Sequence, residues 1–225
     1  MKDKVTVIIP TYNEERNIRE VIKGVKPYAD EILIVDAKKS RDRTAEIAKS
    51  LGAMVIKDNG KGVGAAKRIG IKSAKNEIIV LFDADGSHDP KDIPKMVDYL
   101  ISNGHDFVVG SRMTGGSDEL HGTFSNFARN VGAGLIQLVI NYRFKVRLTD
   151  CENGFRAIKK KVAENLKLNA DDFDIEEEMV IKALKMGYSV GEIPTHEYER
   201  KHGRSNISLP RMGYKFVWRL IREII

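Results

Sequence analysis

Through the first 110 residues, short apolar runs alternate with stretches of helical periodicity. Residues 5–9 are almost continuously apolar and close on Pro10; Glu31–Asp36, 54–56, 78–82 and 107–109 repeat the theme. Runs apolar on both faces suit parallel strands covered by helices on either side. Between them, residues 14–25 place Ile18, Val21, Ile22 and Val25 at helical spacing, and 44–51, 62–74 and 90–101 behave alike. Asp89-Pro90 reads as an N-cap followed by proline at the first helical position. This alternation predicts a doubly wound α/β sheet with right-handed crossovers.

Past residue 111 the rhythm changes. Residues 113–120 are rich in glycine and serine and predict a loop. Helices are expected over 126–142, 174–186 and 210–225, and strands over 154–158 and 190–198. The polar stretch 202–208 is expected to be a mobile loop. The change near 111 reads as a division of labour inside one domain: 1–111 and 112–209 as two halves of 1–209, then a terminal helix, 210–225.

The 225 residues are 42% hydrophobic and 31% charged, a globular composition of ample length for a buried core. No apolar run reaches the ~18 residues of a membrane span; the longest, 131–142, is broken by Gly134, Gln137 and Asn141. The start runs straight into a strand pattern, so no secretory leader is expected. The single cysteine, Cys151, excludes an internal disulfide and a cysteine-rich zinc site. Together these predict a cytosolic protein or one on the cytosolic face of a membrane.

Ligands of open α/β sheets bind beyond the carboxyl ends of the strands, so polar residues that follow strand runs come first. Thr11 to Glu14, Asp36, Asp83-Ala84-Asp85 and Ser111-Arg112 all do so. Two carboxylates at i and i+2 of an extended segment point to one side, and their repulsion calls for a cation. Such hard oxygen ligands suit Mg2+ or Mn2+ completed by substrate phosphates. The alternative, a surface turn with capping acids, is weakened by the buried apolar run 78–82 in front of the pair. Gly60-Lys61-Gly62-Val63-Gly64 lacks the P-loop spacing and reads as a tight loop with Lys61 near the donor. The histidines lack metal spacing, with His88 near the site and His105 and His196 structural or on the surface. Glu176, Glu177 and Glu178 are expected to form a solvated, dipole-matched first helical turn, and Cys151 to fill space.

Val7-Ile8-Ile9-Pro10-Thr11-Tyr12-Asn13-Glu14, Val35-Asp36, Leu81 to His88 and Gly110-Ser111-Arg112 resemble family-2 glycosyltransferases of the GT-A fold. Ser125 to Arg129, Asp150 to Ala157 and Glu192-Ile193-Pro194 with Arg200 to Ser205 resemble the dolichyl-phosphate mannosyltransferase branch. The resemblance implies that Pro10, Tyr12 and Glu14 hold the nucleotide base and ribose, with Ile34 and Asp36 beneath. It implies Asp83, Ala84 and Asp85 against the donor, with Asp85, Asp83 and Ser87 around the metal; relatives usually have Gln at the position of Ser87. Arg112 and Arg129 would take the phosphate of a polyprenyl phosphate, for which guanidinium forks are suited. Arg200 would reach the donor diphosphate from a loop, with Asn206 where relatives often have Lys. The implied reaction is inverting, metal-dependent transfer from a nucleotide sugar, GDP-mannose favoured over a UDP-sugar, to dolichyl or polyprenyl phosphate. A phosphate acceptor is anionic at pH 7 and needs no general base. A saccharide or protein acceptor would need one. A non-enzymatic phosphate- or nucleic-acid-binding module, suggested by charge alone, is disfavoured by the aspartate pair.

The net charge of +6 sharpens the picture once located: residues 200–225 hold seven Lys and Arg and one acid, Glu223, while the rest is balanced. A general affinity for nucleic acid is therefore not expected. On a helical wheel, Arg211, Lys215, Arg219 and Arg222 form a stripe beside a broad apolar face with Tyr214 and Trp218 at its border. The pattern fits a helix lying on an anionic membrane surface and equally one packed on the domain.

Overall fold

The computed structural model describes residues 3–119, 124–202 and 209–224; for 124–129 and 209–212 it describes the backbone. In chain order the elements are β1 Val5–Thr11, α1 Ile18–Val25, β2 Glu31–Asp36, α2 Thr44–Ser50, β3 Met54–Lys57, α3 Val63–Ser73, β4 Ile78–Leu81, α4 Asp92–Ser102, β5 Phe107–Ser111, α5 Arg112–Gly115, α6 Phe124–Phe144, β6 Arg156–Lys159, α7 Lys160–Asn165, α8 Ile175–Lys185, β7 Val190–Pro194 and α9 Leu209–Ile224. The strands form one sheet in the order β3-β2-β1-β4-β6-β5-β7. All neighbours are parallel except β6, which runs antiparallel to both β4 and β5.

The period-two alternation of strand side chains divides the core in two. Val7, Ile9, Ile34, Val80 and Val108 face one way and pack on α1, α2 and α4. Ile8, Leu33, Val35, Ile79, Leu81 and Val109 face the other and pack on α3, α6, α7 and α8, with α9 against the edge of this cluster. The interleaving explains why these runs are apolar at every position. Gly70 lets α3 approach closely: a Cβ there would stand 3.2 Å from Val35 Cγ2 and closer still to Ile8.

Several expected boundaries move. Helix α1 begins at Ile18, because Glu14–Asn17 makes a turn in which the N–H of Asn17 and of Ile18 donates to Glu14 O (3.0 and 2.8 Å). Helix α4 begins at Asp92, two residues past the expected proline start. The Asp89 carboxylate instead accepts from Lys91 N (2.9 Å) in a turn. The expected loop after 111 opens with the helical turn α5, whose cap is Ser111 Oγ accepting from Thr114 N. Strand β6 starts two residues late, and β7 stops at Pro194, with Glu197 forming isolated bridges to His88 and Ser117. Helix α7 has no counterpart in the periodicity reading.

One electrostatic expectation is corrected: Glu176, Glu177 and Glu178 are not solvated but buried. The basic stripe of α9, for which a membrane-surface and a domain-packed placement are equally expected from the sequence, turns partly inward. Lys215 pairs with Asp172, and Arg219 with Asp174 (2.7 Å), Glu178 (3.4 Å) and Glu223 (3.3 Å), while Phe216, Leu220 and Ile224 meet the core.

Candidate active site

Strands β1, β2, β4, β5 and β7 end at one rim of the sheet, and antiparallel β6 begins there. A cavity of about 480 Å3 opens at this rim, within the size range of small-molecule sites. Pro10, Tyr12, Glu14, Asp83, Ala84, Asp85, Arg112 and Arg200 all line it, as does Lys61. Ile34 and Asp36 lie beneath, fully buried. The Asp36 carboxylate accepts from Thr11 Oγ1 (2.9 Å) and pairs with Lys57, which ties the ends of β1, β2 and β3 together. Arg129 lies on the backbone of α6, with its side chain outside the described set; Asn206 and the expected mobile segment after His202 lie outside the described residues.

The aspartate pair converges by a turn rather than by strand alternation. The chain leaves β4 at Leu81, turns at Ala84-Asp85 and passes Gly86 at φ +78°. Ser87 is buried and is not among the residues lining the cavity: its N–H and Oγ donate to Asp85 Oδ1 (3.1 and 2.7 Å), so it orients Asp85. His88 packs edge-on against Phe82 and at a tilt against Phe155, and places Nε2 3.3 Å from Asp83 Oδ2. Lys67, buried on α3, brings Nζ within 4.0 Å of Asp83 Oδ1 and pairs with Glu176, which the fully buried Arg156 meets at 2.9 Å. Burial pushes the Asp83 carboxyl up, but Lys67, then His88 and Arg200, outweigh it and hold the group well below the usual carboxylate range. Arg200 Nε lies 2.9 Å from Asp85 Oδ2 and 3.2 Å from Glu119 Oε1. Burial, with the charge of Asp85 adding to it, raises Glu14 above its ordinary value.

The opposite wall is built around Arg112. Its Nε and Nη2 grip Asp150 through Oδ2 (2.6 Å) and Oδ1 (3.0 Å), a two-point fork, and Nη1 lies 3.5 Å from Glu197 Oε1. Burial alone would raise Asp150, but Arg112 outweighs it and holds the carboxyl below its usual range. The N–H groups of Glu152 and Asn153 also donate to Asp150 Oδ1 (both 3.1 Å). One edge of the guanidinium is therefore fixed, and the edge carrying Nη1 keeps only the long contact to Glu197. Asp150, Glu197, Lys67, Glu176 and Arg156 were not among the expected site residues. Their partners lie as many as 109 residues away in sequence, so no local spacing marks them. Cys151 is buried and its thiol is pushed up by that burial, in keeping with a packing role.

Nine Asp and Glu but only five Lys and Arg line the cavity. An anion such as a diphosphate enters such a field only with a compensating cation, and Arg200 beside Asp85 marks where positive charge is favoured. No group of three or more His, Cys, Asp or Glu suited to a metal ion occurs among the described residues. The two aspartates Asp83 and Asp85 in the lining fit Mg2+ or Mn2+, which bind through one or two carboxylates plus water and phosphate oxygens.

The family described as "Glycosyl transferase family 2" matches residues 6–167. A UDP-N-acetylglucosamine–dolichyl-phosphate N-acetylglucosaminyltransferase of Methanococcus voltae is 30% identical, over 98% of this chain and 96% of that protein. A dolichol-phosphate mannosyltransferase of Pyrococcus furiosus is 34% identical, over 91% of this chain but only 59% of that protein. In structure, glucosyl-3-phosphoglycerate synthase of Mycobacterium tuberculosis, solved with Mn2+, UDP and glucosyl-3-phosphoglycerate, superposes with a TM-score of 0.79 over 99% of this chain and 80% of that one. At 19% identity that likeness shows the GT-A fold alone.

Proposed function

The chain belongs to glycosyl transferase family 2 and is a glycosyltransferase, and on that premise we propose that it moves a sugar from a nucleotide sugar to a dolichyl or polyprenyl phosphate, with inversion at the anomeric carbon. The observation that favours this acceptor is the pairing of three carboxylates that line the cavity around Arg112 and Lys67. Asp150 and Glu197 are engaged by Arg112, and Glu176 by Lys67 and Arg156. A hydroxyl acceptor needs a carboxylate available as base. A phosphate monoester is already charged and needs only to be held.

In this reading Tyr12, half exposed at the rim, stacks on the base, with Pro10 and Glu14 beside the ribose and Ile34 and Asp36 supporting the floor. Asp83 and Asp85 would hold Mg2+ or Mn2+, whose charge would offset that of the departing diphosphate. Arg200 leaves Asp85 for that diphosphate, and Asn206 follows on the same segment. Arg112, oriented by Asp150, holds the acceptor phosphate with Arg129, in line with the sugar C1. A phosphate oxygen then forms the new bond to C1 as the nucleoside diphosphate departs from the opposite face. Residues 1–111 supply most of the donor side and 112–209 most of the acceptor side. GDP-mannose is the first donor to test and UDP-hexoses the second, because the names of the relatives divide between mannose and a UDP-sugar. The acceptor places the enzyme peripherally on an anionic membrane, on its cytosolic face, with no nucleic-acid partner.

The test is transfer of labelled sugar into butanol-extractable lipid from a panel of GDP- and UDP-sugars with Mg2+ or Mn2+. Transfer is expected to fall at least a hundredfold in Asp85→Ala and Arg112→Ala. Wild-type rates in both variants, or transfer only to saccharides, would overturn the reading.

A further inference from the structure

Five Lys and Arg side chains line the cavity. Lys39 and Lys61 are exposed, and Arg112 and Arg200 are partly open. Lys67 differs from all four. It is 2% exposed and lies on α3, where the other buried residues are Gly64, Ala65, Ala66, Gly70 and Ile71. Burying an ammonium is costly even when it is paired, and apolar residues of similar volume often serve stability as well or better. A buried lysine in the wall of a cavity is a departure of the kind that proteins keep at functional sites.

The ammonium is held from behind. Nζ pairs with Glu176 on α8, and Arg156 Nε lies 2.9 Å from the Glu176 carboxylate. In front stands Asp83 Oδ1, at 4.0 Å from Nζ. That separation is too long for a hydrogen bond, and an ammonium has three donors to place. An oxygen about 2.8 Å from both atoms would stand at an angle of about 90° between them. A group that accepts from Lys67 and donates to Asp83 at once satisfies that position, as a hydroxyl does. Gly154 keeps this wall clear: a Cβ there would stand 2.6 and 3.0 Å from the two oxygens of Asp83. The charges of Asp83 and Glu176 balance those of Lys67 and Arg156. A phosphate in the gap would therefore face two carboxylates with no net positive charge to hold it, whereas a neutral hydroxyl would meet both a donor and an acceptor.

We propose that Lys67 and Asp83 read one hydroxyl of the donor's sugar, with Glu176 and Arg156 fixing the ammonium, which makes Lys67 a specificity residue of the transfer. The proposal rests on the nucleotide-sugar reading and adds to it the part of the site that holds the sugar. Asp83 meets the hydroxyl through Oδ1, and Oδ2 stays on the side of His88. Lys67 belongs to the first half of the chain and Glu176 to the second, so the sugar is held where the two halves meet.

Calorimetry in the presence of Mn2+ tests the assignment with GDP, GDP-mannose, UDP, UDP-glucose and UDP-N-acetylglucosamine. Wild type is expected to bind at least one of the sugar nucleotides. Lys67→Met should weaken that sugar nucleotide by about tenfold to a hundredfold, the worth of a hydrogen bond to a charged group, and leave the matching nucleoside diphosphate unchanged. The double variant Lys67→Met, Glu176→Gln should do the same. It removes both charges while Arg156 keeps its bonds to the carbonyls of Cys151, Asn153 and Glu176, which guards against a single variant that does not fold. Removing the sugar hydroxyls one at a time should find one deoxy analogue that wild type binds weakly and Lys67→Met binds no worse. Equal loss of the nucleoside diphosphate and its sugar nucleotide in both variants would put Lys67 on the diphosphate and overturn the proposal. Full affinity of the double variant for the sugar nucleotide would overturn it as well. A wild-type chain that binds none of these nucleotides overturns the donor reading itself, and this inference with it.

Discussion

Glu177 makes the sharpest test of the buried charge beside the cavity. It lies on the first turn of α8, fully buried, and neither carboxylate oxygen has a hydrogen-bond partner. Burial is the main force that pushes its carboxyl up to about 9. Glu152, Asp174 and Glu223 add to the rise, and Arg219 opposes it. The folded protein therefore holds Glu177 protonated at neutral pH, whereas the unfolded chain releases that proton near an ordinary carboxyl value. The resulting stability is fully present below about pH 4.5 and is lost as the pH climbs through about 9. Each pH unit inside that window costs about 1.4 kcal/mol, or on the order of 3 kcal/mol between pH 4.5 and 7. Glu177→Gln keeps the shape of the protonated acid and removes the titration. Its amide also lacks a partner, which costs about 1–3 kcal/mol, so the variant should be no more stable than wild type near pH 5. By pH 8 it should be the more stable, and the two curves should cross between. Urea unfolding at half-unit steps from pH 5 to 8 reads both slopes. Parallel curves across that range would show that Glu177 does not carry the proton, and the argument from its burial would fall.

Other outcomes follow from the site. Gly154→Ala places a Cβ 2.6 Å from Asp83 Oδ2, so turnover should drop by about tenfold to a hundredfold with little change in melting temperature; full activity would show that the Asp83 position is not critical. Arg200→Ala removes the cation beside Asp85, so Mn2+ should bind about tenfold more tightly (~1.4 kcal/mol) without nucleotide while nucleotide binding weakens, both by calorimetry. Unchanged metal affinity would separate Arg200 from the metal position. Asp150→Asn leaves Arg112 half-paired in a buried wall, with an expected loss of about 3–5 kcal/mol in chemical unfolding. A loss under 1 kcal/mol would mean that Glu197 and solvent suffice to hold Arg112.

The strands were legible because a buried parallel sheet demands apolar residues on both faces, and 5–9, 78–82 and 107–109 meet that demand. The residues proposed for the donor side could be picked out because they follow those runs directly and so meet at one rim of the sheet. The charge chain Lys67–Glu176–Arg156 was not, because its partners come from α3, α8 and β6 and no period links them. The wheel of α9 separated a basic from an apolar side correctly, yet which side turns inward is decided by Asp172, Asp174 and Glu178 on another part of the chain. The triple glutamate looked solvated for the same reason: an acidic first turn fits the helix dipole, and only the packing of neighbouring elements buries it.

The placement of β6 has a consequence for the order of synthesis. Strands β2, β3 and β4 each find a neighbour already made as they emerge, since the sheet grows β3-β2-β1-β4 around β1. Strand β5 has none: its link to β4 is β6, made only after residues 112–155. At about 5–20 residues per second that segment waits for seconds with an apolar strand unpaired. A ribosome pausing before residue 159 would therefore release a chain whose donor half is nearly assembled but whose sheet is still open, the point at which a chaperone would find most to hold.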